Sequence, residues 1–139
     1  CEIILQTDAL VGNKLEVGAD YEAVALKAIP GDAMILDAGP NSIPMFASHV
    51  KASKTIIWNG PLGAFEFPPF HTATNAIANL VGKLSQKGSL LSIAGGGDTI
   101  AALNQSGAVE KFNYVSTAGG AFLEWLEGKE LPGVSALKS

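Results

Sequence analysis

The sequence contains no arginine, only one cysteine and no long apolar run. Without arginine it has no guanidinium group to bind a carboxylate or phosphate through two parallel hydrogen bonds. If the protein handles a second anionic substrate, we expect that site to lie elsewhere. A single cysteine cannot form an internal disulfide, which favours a reducing compartment and a cytoplasmic location. A membrane span needs about 20 consecutive apolar residues, so no membrane partner is expected.

Basic clusters and the usual catalytic spacings are also missing. All nine cationic residues are scattered lysines and the net charge is −4, which argues against a nucleic-acid partner. His49 and His71 form no Ser-His-Asp or Cys-His set, and no C-x-x-C or H-x-x-x-H spacing occurs. The sequence therefore predicts neither a catalytic triad nor a histidine or cysteine metal site.

What remains is an apolar chain the size of one domain. Hydrophobic residues make up 47% of its 139 residues, charged residues only 16%, and the mean hydropathy is +0.28. Strands that are covered on both faces of a sheet would explain this composition. The start at Cys1 has neither a methionine nor a basic leader, and we expect a cut N-terminus.

The most informative stretch is residues 91–103, which indicates a strand, a glycine turn and a helix. Gly95, Gly96 and Gly97 permit a tight turn, and Asp98 and Thr99 are expected to cap the helix. Free N–H groups and the helix dipole could hold a phosphate there, and Asp98 could hold its Mg²⁺. The alternative is an ordinary strand-to-helix turn with a capping aspartate.

Known nucleotide-binding turns do not match this stretch. Ile100 stands where the third glycine of G-x-G-x-x-G should be, and the chain has no G-x-x-x-x-G-K-[ST] loop. Both a dehydrogenase-type cofactor domain and a P-loop are therefore disfavoured.

Strand and helix patterns alternate along the chain. Short apolar or β-branched runs predict strands at 3–5, 34–36, 55–58, 90–94 and 114–117, with a hairpin over 9–17 that turns at Gly12 and Asn13. Residues 20–29 fit either a helix or a strand. Helices are predicted at 42–53, 70–88, from 98 onward and at 121–126, with Gly128 just past the last one and an irregular tail over 129–139. The alternation predicts a doubly wound parallel α/β sheet.

Four turns then fall at one edge of that sheet, where α/β proteins bind ligands. They are residues 39–40, 59–61, 95–99 and 117–120. Helices that begin after Gly97 and Gly120 could stabilise a transferring phosphoryl group through backbone N–H groups. Glu66, held between aromatics and prolines, could accept ribose hydroxyls or could be a surface residue. An anionic nucleophile needs no general base, so a kinase of this kind is compatible with the absence of a poised histidine.

Several blocks together resemble the phosphoglycerate kinase family. They are Leu36-Asp-Ala-Gly-Pro40, Trp58-Asn-Gly-Pro-Leu-Gly-Ala-Phe-Glu66, Gly95-Gly-Gly-Asp-Thr99, Ser116-Thr-Ala-Gly-Gly-Ala121 and Leu126-Glu-Gly-Lys-Glu-Leu-Pro-Gly-Val134. The resemblance covers the whole chain and matches the later part of the family's C-terminal, nucleotide-binding domain. It implies an incomplete three-layer, Rossmann-like parallel sheet, and it implies that residues 20–29 are extended.

The resemblance also implies roles for individual residues. Asp98 corresponds to the Mg²⁺ contact, and Glu66 to the ribose acceptor. The implied contacts to nucleotide phosphate are Asn59, Gly95, Gly96, Gly97 and Thr99, those to adenosine are Leu36 and Pro61, and those near the transferred phosphoryl group are Gly97, Gly119 and Gly120.

The family's N-terminal substrate domain and the early strands that carry its phosphate-gripping lysines have no counterpart in residues 1–139. In the family's sheet order 3-2-1-4-5-6, the strand at residue 3 would then lack its neighbour. The intact enzyme would be a monomer that transfers phosphate between 1,3-bisphosphoglycerate and ADP, giving 3-phosphoglycerate and ATP. We expect this chain by itself to be poorly stable and inactive, with a weak nucleotide-binding module or a purely structural α/β unit as the alternatives.

Overall fold

The computed structural model describes residues 1–137, where strands and helices alternate along most of the sequence. Short 3-10 turns follow the second strand and the third helix, at Leu26–Ala28 and Val109–Lys111. The strands are β1 (Asp8–Gly12), β2 (Glu22–Ala25), β3 (Met34–Ala38), β4 (Thr55–Trp58), β5 (Leu91–Gly95) and β6 (Tyr114–Ser116). The helices are α1 (Ser42–Ala52), α2 (Thr72–Gln86), α3 (Gly97–Gln105), α4 (Gly119–Leu126) and α5 (Pro132–Ser135).

The first three strands form an antiparallel sheet in the order β2-β1-β3. The hairpin predicted over residues 9–17 is wrong, because β1 pairs with β2 across the connection 13–21, with Asp8 opposite Ala25. Residues 20–29 are extended over Glu22–Ala25, as the family resemblance implied against their helix-like composition. Long-range pairing of the fully buried β1 thus outweighs the local turn signal at Gly12.

The last three strands form a parallel sheet in the order β4-β5-β6, and helices flank it. The α/β class with a parallel sheet is therefore confirmed. The expectation that β3 belongs to the same sheet is wrong, because β3 pairs with β1. Gly39 and Pro40 consequently do not lie at the carboxyl edge of the parallel sheet, and three of the four predicted turns remain there.

One apolar core lies beneath the parallel sheet. It contains Trp58 of β4, Ala94 of β5, Leu103 of α3 and the inner face of α2, and α1 packs against it. The three-and-four spacing of apolar residues correctly predicted α2, whose Ala73, Ile77, Ala78 and Val81 are buried. A second, smaller cluster of Leu10, Leu36 and Phe70 joins the antiparallel sheet to the segment before α2.

Several helix boundaries differ from prediction. Helix α3 begins at Gly97 with Gly96 as its N-cap, so Asp98 and Thr99 lie in the first turn and are not the caps. Helix α4 begins at Gly119, two residues before the predicted start. Gly128 does occupy the predicted position after α4: its N–H and that of Lys129 bond to the carbonyls of Trp125 and Glu124, which closes the helix.

The two ends of the chain also depart from prediction. Residues 3–5 form no strand; Ile3 and Leu5 are 80% and 70% exposed. The expectation that a strand at residue 3 would lack its neighbour in the sheet is therefore wrong. The tail predicted as irregular contains the short helix α5, and its last residues, 138 and 139, lie outside the described part. Within residues 1–137, no helix is long and apolar enough to cross a membrane.

Candidate functional site at two glycine-started helices

The site is built around the turn between β5 and α3. Gly95 ends β5, and Gly96 adopts φ +102°, a left-handed value that side-chain-bearing residues rarely reach. That conformation leads the chain directly into α3, whose first N–H groups lack intrahelical partners and face the turn. Gly97 and Asp98 are exposed in that turn.

Thr99 connects this turn to the loop after β4. Its side chain is 2% exposed, and its hydroxyl accepts a 2.7 Å hydrogen bond from the Gly60 N–H. The hydroxyl keeps its own hydrogen for another acceptor, such as a phosphate oxygen. The Asn59 side chain also lies beside the turn, since a methyl group on Gly96 would be 3.7 Å from the Asn59 Oδ1.

The start of α4 lies directly against the turn. A Cβ on Gly119 would be 2.6 Å from the Gly96 Cα and 2.7 Å from its nitrogen, so only glycine permits this approach. The Gly96 N–H also donates to the Ser116 carbonyl at 3.1 Å. Two helix N-termini are thereby held side by side, with Gly120 exposed next to Gly119.

The N-cap residues of these helices, Gly96 and Ala118, provide no side-chain cap, and the Ala118 N–H itself donates to the Ser116 hydroxyl at 3.2 Å. The first four N–H groups of an α-helix lack intrahelical partners, and the helix dipole concentrates positive charge there. Two such termini in contact make a locally electropositive surface in a chain without arginine. The arrangement suits an anion of high charge density, such as a polyphosphate.

Asp98 is the carboxylate closest in sequence to that surface. Within residues 1–137, no group of three or more His, Cys, Asp or Glu side chains could cage a metal ion. One exposed carboxylate beside a surface that suits phosphate nevertheless fits Mg²⁺, which is commonly held by one or two carboxylates, phosphate oxygens and water.

Leu36 and Pro61, the predicted adenosine contacts, line one open cavity of about 450 Å³. The Leu36 carbonyl accepts a 2.8 Å hydrogen bond from the Ala64 N–H, which ties the end of β3 to the loop after β4. The structure therefore brings together two groups of predicted residues: Leu36 with Pro61, and Asn59 with Gly95, Gly96, Thr99 and Gly119.

Glu66 stands apart from both groups. It is exposed and makes no hydrogen bond within residues 1–137. The turns that carry it are held firmly, because the neighbouring Phe65 is buried and its carbonyl accepts from Gln105 Nε2 of α3 at 3.1 Å. Its carboxylate is thus free to meet a ligand.

Two buried aspartates were not recognised in the sequence as important. Asp8 is 4% exposed; its Oδ2 accepts from the backbone and side-chain amides of Asn41, and its Oδ1 from the N–H and hydroxyl of Ser42, at 2.6–3.0 Å. Burial alone would raise the pKa of Asp8, but these hydrogen bonds outweigh it and hold the pKa below 3.8. Asp8 thereby caps α1 from β1.

Asp37 performs the same task for α2. Its Oδ2 accepts from the Ala73 N–H at 3.0 Å and its Oδ1 from the Ala38 N–H at 2.9 Å. Burial raises its pKa to about 6, in spite of these N–H groups and the nearby His71. Either aspartate could have been suspected only as a charged residue inside an apolar strand pattern.

Comparison with known proteins places the chain in a family. Residues 1–129 match the family model described as phosphoglycerate kinase. The phosphoglycerate kinase of Ruegeria sp. (strain TM1040) is 58% identical over 139 residues, which are all of this chain and 35% of that protein. The chain therefore spans about a third of the length of the curated relatives it matches.

Solved structures agree. The phosphoglycerate kinase from Coxiella burnetii is 41% identical with a TM-score of 0.85, over 95% of this chain and 33% of that one. The enzyme from Pyrococcus horikoshii OT3 is 25% identical with a TM-score of 0.77, over 96% and 32%. The motifs, the family model, the curated relatives and the solved structures agree, and the chain belongs to the phosphoglycerate kinase family.

Proposed function

We propose that this chain supplies the Mg-nucleotide side of an enzyme that transfers phosphate reversibly between 1,3-bisphosphoglycerate and ADP, giving 3-phosphoglycerate and ATP. The observation that carries the proposal is the contact between two helix N-termini at Gly96 and Gly119. Family membership indicates the reaction. The geometry supports the proposal because the two helix N-termini suit the negative charge on a phosphoryl group during its transfer.

Catalysis in this proposal rests on position and charge. The N–H groups of the first turns of α3 and α4, at Gly97, Gly119 and Gly120, would donate to oxygens of the phosphoryl group as it moves. The nucleophile is an oxygen anion of ADP or of the carboxylate, so no side chain has to remove a proton. Thr99 and Asn59 would bind the nucleotide phosphates alongside Gly95 and Gly96.

Asp98 would hold the Mg²⁺ that accompanies the nucleotide. When bound, that ion neutralises charge on the phosphate oxygens and orients them for transfer. The exposed position of Asp98 in the first turn of α3, next to the electropositive surface, supports this assignment.

The nucleoside would bind in the cavity next to that surface. Leu36 and Pro61 offer it apolar contact, and Glu66 would accept hydrogen bonds from the ribose hydroxyls. The acyl-phosphate substrate would be bound by the substrate domain that relatives of this family contribute from outside residues 1–139. The cytoplasmic location, the monomeric state and the absence of nucleic-acid and membrane partners remain predictions from sequence.

Calorimetric titration with Mg-ADP and Mg-ATP tests the proposal, both on this chain and on the complete natural polypeptide that contains it. We expect the complete polypeptide to bind both nucleotides and to form ATP from 1,3-bisphosphoglycerate and ADP, and Asp98→Ala to weaken Mg-nucleotide binding at least ten-fold. The chain alone is expected to be inactive. Absence of nucleotide binding by the complete polypeptide would favour the structural alternative.

A further inference from the structure

Asp37 is a buried carboxylate on the wall of the nucleoside cavity, and the proposed reaction has so far given it no part. Its side chain is 1% exposed, and the residue lines the cavity together with Leu36 and Pro61. A carboxylate is rarely buried so completely unless its hydrogen bonds serve a purpose.

The first of its bonds fixes the start of α2. His71, the N-cap residue of that helix, provides no side-chain cap, and the Thr72 hydroxyl bonds back to the Pro69 carbonyl at 2.7 Å. The Ala73 N–H instead reaches Asp37 Oδ2 at 3.0 Å. The cap of α2 therefore comes from β3, 36 residues earlier in the chain.

The same carboxylate also bears on the loop after β4. A Cβ on Gly63 would lie 2.3 Å from Asp37 Oδ1, so the backbone of the loop rests directly on the carboxylate. The next residue, Ala64, donates its N–H to the Leu36 carbonyl at 2.8 Å. One side chain thus touches three elements: the end of β3, the loop that carries Pro61 and Glu66, and the start of α2.

We propose that Asp37 is a positioning residue for the nucleoside part of the nucleotide. By holding β3, the Gly63 loop and α2 in one arrangement, it sets the distance between the two apolar walls of the cavity, Leu36 and Pro61, and the placement of Glu66. This inference rests on the proposed function, because it requires the cavity to receive a nucleoside.

The glycines on the phosphate side are held without Asp37, and only Asn59 and Gly60 there belong to the loop on which it bears. Gly95, Gly96 and Gly119 are held by the pairing of β5 with β6 and by the approach of α4. Loss of the Asp37 carboxylate should therefore weaken recognition of the nucleoside and leave recognition of polyphosphate unchanged. A residue that merely stabilised the fold would affect both.

The experiment is a set of calorimetric titrations on the complete natural polypeptide and its Asp37→Asn variant, with adenosine, Mg-ADP and Mg-tripolyphosphate as probes. We expect the variant to bind adenosine and Mg-ADP roughly ten-fold more weakly, as for one misplaced hydrogen-bonding group, and Mg-tripolyphosphate within about two-fold of the wild type. Asp8→Asn, which alters the equivalent cap of α1, is the matched control and should change none of the three affinities.

The outcomes separate the two proposals. Wild-type protein that binds neither Mg-ADP nor adenosine would overturn the proposed function, and this inference with it. Wild-type binding together with unchanged adenosine affinity in Asp37→Asn, or with an equal loss for all three probes, would overturn the inference and leave the proposed function standing.

A measurement on the wild type covers the case in which the variant does not fold. Amide hydrogen exchange at Ala64 and Ala73 should slow when adenosine binds, because the nucleoside closes the cavity against the two elements that Asp37 joins. Mg-tripolyphosphate should leave those two amides unchanged and slow Gly97 and Gly120 instead. Unchanged exchange at Ala64 and Ala73 in the presence of saturating adenosine would contradict the inference.

Discussion

Helices α1 and α2 differ from α3 and α4 in how they begin. The first two start at a buried aspartate supplied by a distant strand, Asp8 or Asp37. The other two start at glycines, and no distant carboxylate reaches their N–H groups among the described residues; the one side-chain partner there is the Ser116 hydroxyl, which accepts from the Ala118 N–H at 3.2 Å. Because a carboxylate satisfies the same N–H groups that would bind phosphate, the starts of α1 and α2 serve the fold, whereas those of α3 and α4 can offer N–H groups to a ligand.

The largest expected effect comes from inserting a methyl group where the two glycine-started helices touch. Gly119→Ala would place a methyl group 2.6 Å from the Gly96 Cα and 2.7 Å from the Gly96 nitrogen, against backbone atoms and not a flexible side chain. We expect a loss of about 3 kcal/mol of unfolding free energy and loss of measurable Mg-ADP binding. Urea denaturation and calorimetry of the complete polypeptide measure the two quantities.

The neighbouring glycine is the matched control for that prediction. A Cβ on Gly120 meets nothing within 4 Å. Gly120→Ala should therefore leave stability unchanged or raise it by about 0.5 kcal/mol through better helix propensity. Equal losses from both substitutions would mean that close approach is not what requires Gly119.

Removing a carboxylate cap should also be costly. Asp8→Ala removes the carboxylate that accepts from the backbone and side-chain amides of Asn41 and from the Ser42 hydroxyl, while the Ser42 N–H keeps the Gly39 carbonyl as an acceptor, and we expect a loss of about 2 kcal/mol of unfolding free energy. Asp32→Ala, at an exposed turn, is the control and should stay within about 0.5 kcal/mol of wild type. Indistinguishable urea midpoints for the two variants would mean that the Asp8 carboxylate does not stabilise the start of α1.

The two capping aspartates should respond to pH in opposite directions. The folded-state pKa of Asp37 is about 6 against 3.8 in the unfolded chain, so the native state binds more protons between those values. Stability from Asp37 is therefore highest at low pH and falls as pH rises from about 4 to about 6, by up to about 1.4 kcal/mol per pH unit.

The pKa of Asp8 is lowered in the folded state, so its contribution is present above pH 3.8 and is lost as pH falls through the lowered value. Urea midpoints between pH 3 and 7 for wild type, Asp8→Asn and Asp37→Asn measure both slopes. Asp37→Asn should reduce the decline in stability between pH 4 and 6. Asp8→Asn should reduce the loss of stability in acid. Identical profiles for the two variants would contradict the assignment.

The smallest expected effect converts a glycine-started helix into a capped one. Aspartate in place of Ala118, the N-cap residue of α4, would accept from the first turn of its own helix and repel an incoming phosphate. We expect unfolding free energy unchanged or higher by about 0.5–1 kcal/mol, and Mg-ADP affinity lower by roughly five-fold.

Ala118→Asn is the control for that substitution, because it offers a cap without the charge. Its nucleotide affinity should stay close to that of the wild type. If the asparagine variant loses affinity as fully as the aspartate variant, steric blockage and not charge explains the result.

Local patterns predicted the elements whose signals lie within a few residues. The apolar spacing from Phe70 to Leu84 indicated α2, and Gly128 marked the end of α4. The glycines at 95–97 indicated the turn after β5, although the cap proved to be Gly96 and not Asp98. A left-handed glycine can cap a helix without a polar side chain, and residue type does not distinguish the two cases.

Long-range partners were not predictable in the same way. The turn signal at Gly12 suggested a local hairpin, yet β1 pairs with β2 and β3, because a strand buried on both sides needs a neighbour at each edge. Nothing near Thr99 in the sequence indicates that its hydroxyl receives the Gly60 N–H, 39 residues away.

The sequence by itself determined the α/β class, the glycine turns with Asp98 and the family, since each depends on residue type at fixed local spacing. Only the tertiary structure decided which helix starts are filled by Asp8 and Asp37 and which remain available for a phosphate. That distinction depends on which distant carboxylate reaches a given N–H group, and the reach is set by strand pairing and packing across the whole chain.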